Sequence, residues 1–103
     1  APGAHGIVMP HVSHCYHDGA SLYFTFAFAR DPEKPIEQWL AIKRAASEVI
    51  VAHGGTISHH HGVGEDHLAW LSREKGPVSL ALLRAVKQQM DPAGVLNPGK
   101  LLP

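Results

Sequence analysis

Cysteine is nearly missing from this chain: Cys15 is the only one in 103 residues. A single thiol excludes an internal disulfide framework and fits a reducing, cytoplasmic compartment. Net charge is missing as well, because nine Lys and Arg cancel nine Asp and Glu. A balanced surface offers no electrostatic footprint for nucleic acid, and no run of like charge makes an acidic or basic tail. No apolar stretch approaches the ~20 residues needed to span a bilayer. Ala1-Pro2-Gly3 lacks a starting Met and the basic-then-apolar pattern of a signal peptide, and Leu101-Leu102-Pro103 is not a Ser-Lys-Leu address. The expectation is a piece of a longer cytoplasmic protein. Internal repeats and low-complexity segments are lacking too.

What is abundant is histidine, nine in all. Histidines titrate near neutrality, and this density points to a metal, to acid–base chemistry or to a polar cofactor pocket. The apolar fraction of 45% is that of an ordinary globular protein. A chain of this length buries only a modest share of its surface.

The coarse order of elements reads β-β-α-β-α-α. Residues 6–16 form a strand in which Pro10 demands an edge position or a bulge. Asp18-Gly19 signals a hairpin turn. In the next strand Leu22, Phe24, Phe26 and Phe28 alternate onto one face, which must be covered by other elements. Tyr23, Thr25 and Ala27 share the other, smaller face. A helix follows from about Pro35 to His53, with Ile36, Trp39, Leu40, Ala46 and Ile50 as its apolar stripe, interrupted by Lys43, and with Gly54-Gly55 as its stop. Thr56–Ser58 reads as a short returning strand. A polar helix over Glu65–Glu74 and a last helix over 77–90 are separated by Gly76-Pro77. The last helix carries the stripe Ser79, Leu83, Val86 and Met90, and Pro92 ends it. The Gly/Pro-rich tail from Asp91 to Lys100 is too patterned for a linker. The fold class is α+β: an antiparallel hairpin and a short returning strand covered by a long helix, then two C-terminal helices and the tail.

Three places can carry chemistry. Ser58-His59-His60-His61-Gly62-Val63-Gly64 is the densest. In extended geometry His59 and His61 share a face and His60 takes the other. The glycines admit close backbone approach, and Gly64 precedes a helix whose free N–H groups favour an anion. A surface tract or a zinc site using His11, His14, Cys15 or His17 is the plainer alternative, although no regular ligand pair such as Cys-x-x-Cys stands out. Tyr23 is the second place: a phenol on the small face of its strand reaches a cavity, or is an ordinary packed aromatic. Asn97-Pro98-Gly99-Lys100 is the third, and alone it is a turn.

Taken with Ser13-His14, the run Gly19-Ala20-Ser21-Leu22-Tyr23-Phe24-Thr25-Phe26, the run from Gly54 to Gly64 and the tail from Asp91 to Lys100, the sequence resembles the FAD-linked oxidase C-terminal domain of the vanillyl-alcohol-oxidase-type flavoproteins. Within them it is most similar to the alkyldihydroxyacetonephosphate (alkylglycerone-phosphate) synthases and their bacterial relatives. The resemblance implies a C-terminal fragment of an FAD-dependent oxidoreductase or alkyl-transferring flavoenzyme, inactive by itself. It implies that residues 1–62 complete a ferredoxin-like cap, or substrate, domain and that residues 63–103 return to the FAD-binding domain. Tyr23 matches the family's catalytic acid–base tyrosine, and His59, His60 and His61 match its essential His triplet. Gly62, Gly64 and Asn97 fall where the chain approaches the cofactor. The implied partners are a small-molecule substrate and the FAD-binding domain of the same full-length chain, which holds most of the flavin. No site residue is assigned to a metal.

Two departures weigh on the substrate. The synthases carry a basic residue directly after Gly-Val-Gly, where this chain has Glu65-Asp66-His67. The related 2-hydroxyacid dehydrogenases read Glu-His-Gly-Ile-Gly, and His60 stands in place of that glutamate. An FAD-dependent glycolate- or lactate-type dehydrogenase or oxidase is the first alternative. A non-catalytic, His-rich metal-binding module is the second. A silent fragment that forms a homo-oligomer through an exposed cap surface is the third.

Overall fold

A computed structural model describes residues 5–102; residues 1–4 and 103, which end the two expected segments, lie outside the described residues. The element order is β1 (Gly6–Cys15), β2 (Ala20–Phe28), α1 (Pro35–Ala52) and α2 (Leu68–Met90). The fold class is α+β. The chain forms two compact units, Ala1–Arg44 and Ala45–Pro103.

In the first unit β1 and β2 pair antiparallel. Asp18-Gly19 makes the turn, closed by the Tyr16 amide on the Gly19 carbonyl at 2.8 Å. The register runs from Cys15↔Ala20 and His14↔Ser21, then shifts at Ser13 so that Val12 faces Leu22 and His11 faces Tyr23. This bulge sorts the ribbon, because side chains alternate between faces and one extra residue reverses the order beyond it. Val12, Pro10 and Val8 pair with Leu22, Phe24 and Phe26. His14, His11 and Met9 pair with Ser21, Tyr23 and Thr25. A regular register would instead have set Val12 opposite Tyr23. The aromatic face is not covered as expected: Leu22 and Phe24 remain 54% and 43% exposed, since nothing among the described residues packs them away.

The link to α1 is local. Asp31 Oδ1 accepts from the amides of Glu33 (2.9 Å) and Lys34 (3.1 Å), closing the turn that leads into α1. Gln38 reaches back from the first turns, accepting from the Asp31 amide at 2.8 Å and donating to the Ala29 carbonyl at 2.9 Å. The stripe expected on α1 is exposed at Ile36, Trp39 and Leu40 and is half-buried only at Ile50. Lys43 interrupts it because its ammonium lies over the Trp39 ring, 5.2 Å from the centroid.

The second unit takes in the end of α1 from Ala45 onward. Gly54 adopts φ +74°, and the Gly54 and Gly55 amides return to the Val51 (3.0 Å) and Ile50 (2.9 Å) carbonyls. This is a Schellman cap, and its left-handed position favours glycine. Thr56–Ser58 forms no strand. The Ile57 amide is taken instead by a carboxylate oxygen of Glu74 at 2.7 Å. Gly76, at φ +74° and ψ 168°, breaks α2 where the sequence predicts two helices. The first helical stretch starts at Leu68 rather than Glu65, with turns over 65–67.

The core of this unit is Trp70, Leu71 and Leu80. Glu48 accepts from Trp70 Nε1 (2.7 Å) and from Arg73 Nη1 (2.6 Å), tying the end of α1 to α2. The stripe of the last helix is Leu80, Leu83, Lys87 and Asp91, not Ser79, Leu83, Val86 and Met90; Met90 is 75% exposed. The shift has a polar cause. Asp91, buried to 4% exposure of its side chain, accepts from the Val95 (3.0 Å) and Leu96 (2.9 Å) amides and pairs with Lys87. The tail therefore folds onto the helix end.

Candidate active-site wall

Tyr23 lies near the turn end of β2, 56% exposed, on the face without phenylalanines. The phenol has an imidazole neighbour. His11 faces it across the ribbon, ring centroids 5.3 Å apart and tilted by 33°. One pair closer to the turn, Ser13 Oγ bonds Ser21 Oγ and the Ser21 carbonyl, each at 3.2 Å, and lies 3.1 Å from His14 Nδ1. His14 also stacks near Tyr16. The turn end of the polar face thus gathers two imidazoles, two hydroxyls and a phenol. The sequence assigned His11 only to a conceivable zinc set, and His14 to that set and, with Ser13, to the family resemblance. The signal that finds them is the register, and the bulge hides it.

The His tract is a loop, not an extended strand. His60 adopts φ +63°, a left-handed conformation that costs a β-carbon-bearing residue about 1–2 kcal/mol. That turn abolishes the expected alternation: His59 and His60 do not point apart, and their ring centroids lie 4.0 Å from each other. All three His residues are exposed. Ser58 Oγ donates to the His61 carbonyl at 2.9 Å, with the Gly62 carbonyl a second acceptor at 3.3 Å. Gly62 has open space where a Cβ would stand, and Gly64 adopts φ +58°. Backbone strain of this kind clusters at functional sites because binding geometry outweighs its cost there.

Beyond the glycines the sequence places Glu65 where a cation was expected. The structure brings one through space: Lys100, from the tail, pairs with Glu65. Asn97 adopts φ +46°, a conformation asparagine tolerates better than most residues. Glu74 is held below the ordinary carboxylate range. Burial opposes this by raising it, but the Ile57 amide and the Lys75 ammonium together prevail. Asp91 is lowered chiefly by its bond to Lys87, against the effect of burial and with help from the Leu96 and Val95 amides. Among the described residues, no three His, Cys, Asp or Glu side chains gather where they could hold a metal ion. Among the described residues, no helix is long and apolar enough to cross a membrane.

Comparison with known proteins bears on this arrangement. Residues 3–101 match the family described as "FAD linked oxidases, C-terminal domain". The alkyldihydroxyacetonephosphate synthase of Trypanosoma brucei brucei is 40% identical over 93 residues, covering 90% of this chain and 15% of the relative. That of Dictyostelium discoideum is 36% identical over 96 residues, covering 93% and 16%. The FAD-linked oxidoreductase YgcU of Escherichia coli (strain K12) is 33% identical over 97 residues, covering 90% and 20%. The chain therefore spans a fifth or less of the length of these relatives. No solved structure matches the chain significantly. The match runs through the hairpin, the His loop and the tail alike, and the chain belongs to the FAD-linked oxidases as a C-terminal domain.

Proposed function

We propose that this chain supplies an active-site wall of a cytoplasmic, FAD-dependent enzyme acting as the alkyldihydroxyacetonephosphate synthases do. Residues 1–62 complete its cap domain, and residues 63–103 return to the FAD-binding domain of the same full-length chain. The observation that carries this reading is the solvent-facing phenol of Tyr23 on a polar ribbon face, in a chain matched to the family almost end to end.

The residues present suit a flavin. Gly62, with open space where a Cβ would stand, and the left-handed Gly64 let the main chain lie close to a planar group. Gly62, Gly64 and Asn97 would approach it, and most of its binding falls to the rest of the protein. When bound, FAD supplies the electron-accepting chemistry, which the protein positions and polarises. Tyr23 exchanges a proton with the substrate at its phenolic oxygen. One or two of His59, His60 and His61 orient the substrate or take a proton from it at a ring nitrogen.

The test is Tyr23→Phe in the full-length enzyme. General acid–base catalysis contributes on the order of 10²- to 10⁴-fold, so turnover should fall by that much while flavin stays bound. Unchanged turnover would remove the acid–base role. Exchange of an acyl for an alkyl group on an acylated glycerone phosphate is the activity to assay, with oxidation of a small 2-hydroxyacid as the competing outcome.

A further inference from the structure

Two side chains outside the His triplet hold its loop, and neither touches a described core residue through its polar atoms. Glu74 sits two residues before the Gly76 break, with its side chain 12% exposed. One carboxylate oxygen accepts from the Ile57 amide at 2.7 Å, and the other pairs with Lys75 Nζ at 2.7 Å. Ile57 stands two residues before His59. On the next residue, the Ser58 hydroxyl closes the turn through the carbonyls of His61 and Gly62. Between these pins lies His60, at a backbone conformation that a non-glycine residue keeps only when its surroundings enforce it.

We propose that Glu74 and Ser58 are positioning residues for the His triplet: Glu74 anchors the approach to the loop and Ser58 locks its turn, so that His60 stays left-handed and the imidazoles keep their aim. The inference rests on the proposed role of the triplet in turnover. Its chemistry is specific. A half-buried carboxylate bonded to a backbone amide is a charge-assisted tether, whereas a β-strand ladder at 56–58 would have fixed an extended path. Misplacing catalytic groups by about 1 Å can cost on the order of 100-fold in rate, which sets the scale of the effect.

The experiment uses the full-length, flavin-bound enzyme. Glu74→Ala and Ser58→Ala are each measured for turnover, flavin spectrum and hydrogen–deuterium exchange of the peptide spanning residues 56–64. The expected result is faster exchange in that peptide, an unchanged flavin spectrum, and kcat reduced on the order of 10- to 100-fold. Glu74→Gln keeps an acceptor oxygen without the charge and should recover part of the rate, whereas Ser58→Thr keeps the hydroxyl and should recover most of it. Unaltered exchange in both alanine variants overturns the tether. Faster exchange with normal kcat overturns the link to catalysis. Should Glu74→Ala fail to fold, Ser58→Ala and its threonine rescue decide the matter. Alanine at His59, His60 and His61 is run alongside. Intact turnover in all three would instead fail the reading of the triplet itself, and the proposal with it.

Discussion

The hairpin unit and the helical unit present their functional groups by opposite means. Every described residue that is buried lies in the second unit: Ser47, Trp70, Leu71, Leu80 and Asp91. The hairpin has none, and a two-stranded ribbon is at best marginally stable without a packing partner. Its order comes from backbone pairing and from a bulge that separates apolar from polar side chains. The second unit is held by carboxylates that bridge distant segments: Glu48 to Trp70 and Arg73, Glu74 to Ile57, Asp91 to the tail. A regular ribbon can aim a phenol by periodicity alone. An irregular loop has no ladder, so the imidazoles need dedicated tethers. The exposed Leu22 and Phe24 mark the hairpin as a surface suited to further apolar cover, in keeping with a chain spanning a fifth or less of its relatives.

Core substitutions test this contrast most strongly. Leu80→Ala should cost about 2–5 kcal/mol, read by denaturant unfolding, because it removes a buried side chain from the only described core. A value near zero would mean that the second unit carries no core of its own. Acid comes next. Glu74 and Asp91 are both lowered in the folded state, so their contribution is complete above the ordinary carboxylate range and is lost as pH falls below about 4. Exchange protection at the Ile57, Val95 and Leu96 amides should decline in that window while the hairpin's amides keep theirs. Equal loss in both units would remove the distinction. The smallest effect is expected at Phe24→Ala, within about 0.5 kcal/mol in this chain, as for other surface positions. A loss of several kcal/mol there would show that the aromatic face is covered.

Much of the fold was legible because its signals are local. Asp18-Gly19 turns the hairpin, Gly54-Gly55 caps α1, Gly76 breaks α2 and Pro92 follows its end, each acting within a few residues through backbone geometry. The alternation of Leu22, Phe24, Phe26 and Phe28 placed Tyr23 on the opposite face correctly. The misses fall where polar side chains, not apolar periodicity, set the path of the chain. The expected strand at 56–58 gave way to a carboxylate 17 residues further on. The stripe of the last helix shifted because Asp91 is buried among tail amides, which apolar periodicity cannot register. The His alternation failed because His60 turned left-handed inside a loop closed by Ser58.

By itself the sequence determined the α+β class, the ribbon, the long helix, the helical stretches on either side of Gly76 and which residue types stand at the candidate site, since propensity, turn chemistry and period act between near neighbours. Only the tertiary structure decided which groups meet: His11 rather than Val12 opposite Tyr23, Glu74 on Ile57, and Lys100 beside Glu65 from 35 residues away. Such meetings depend on one bulged residue and on charged side chains finding partners through space, and neither leaves a periodic trace along the chain.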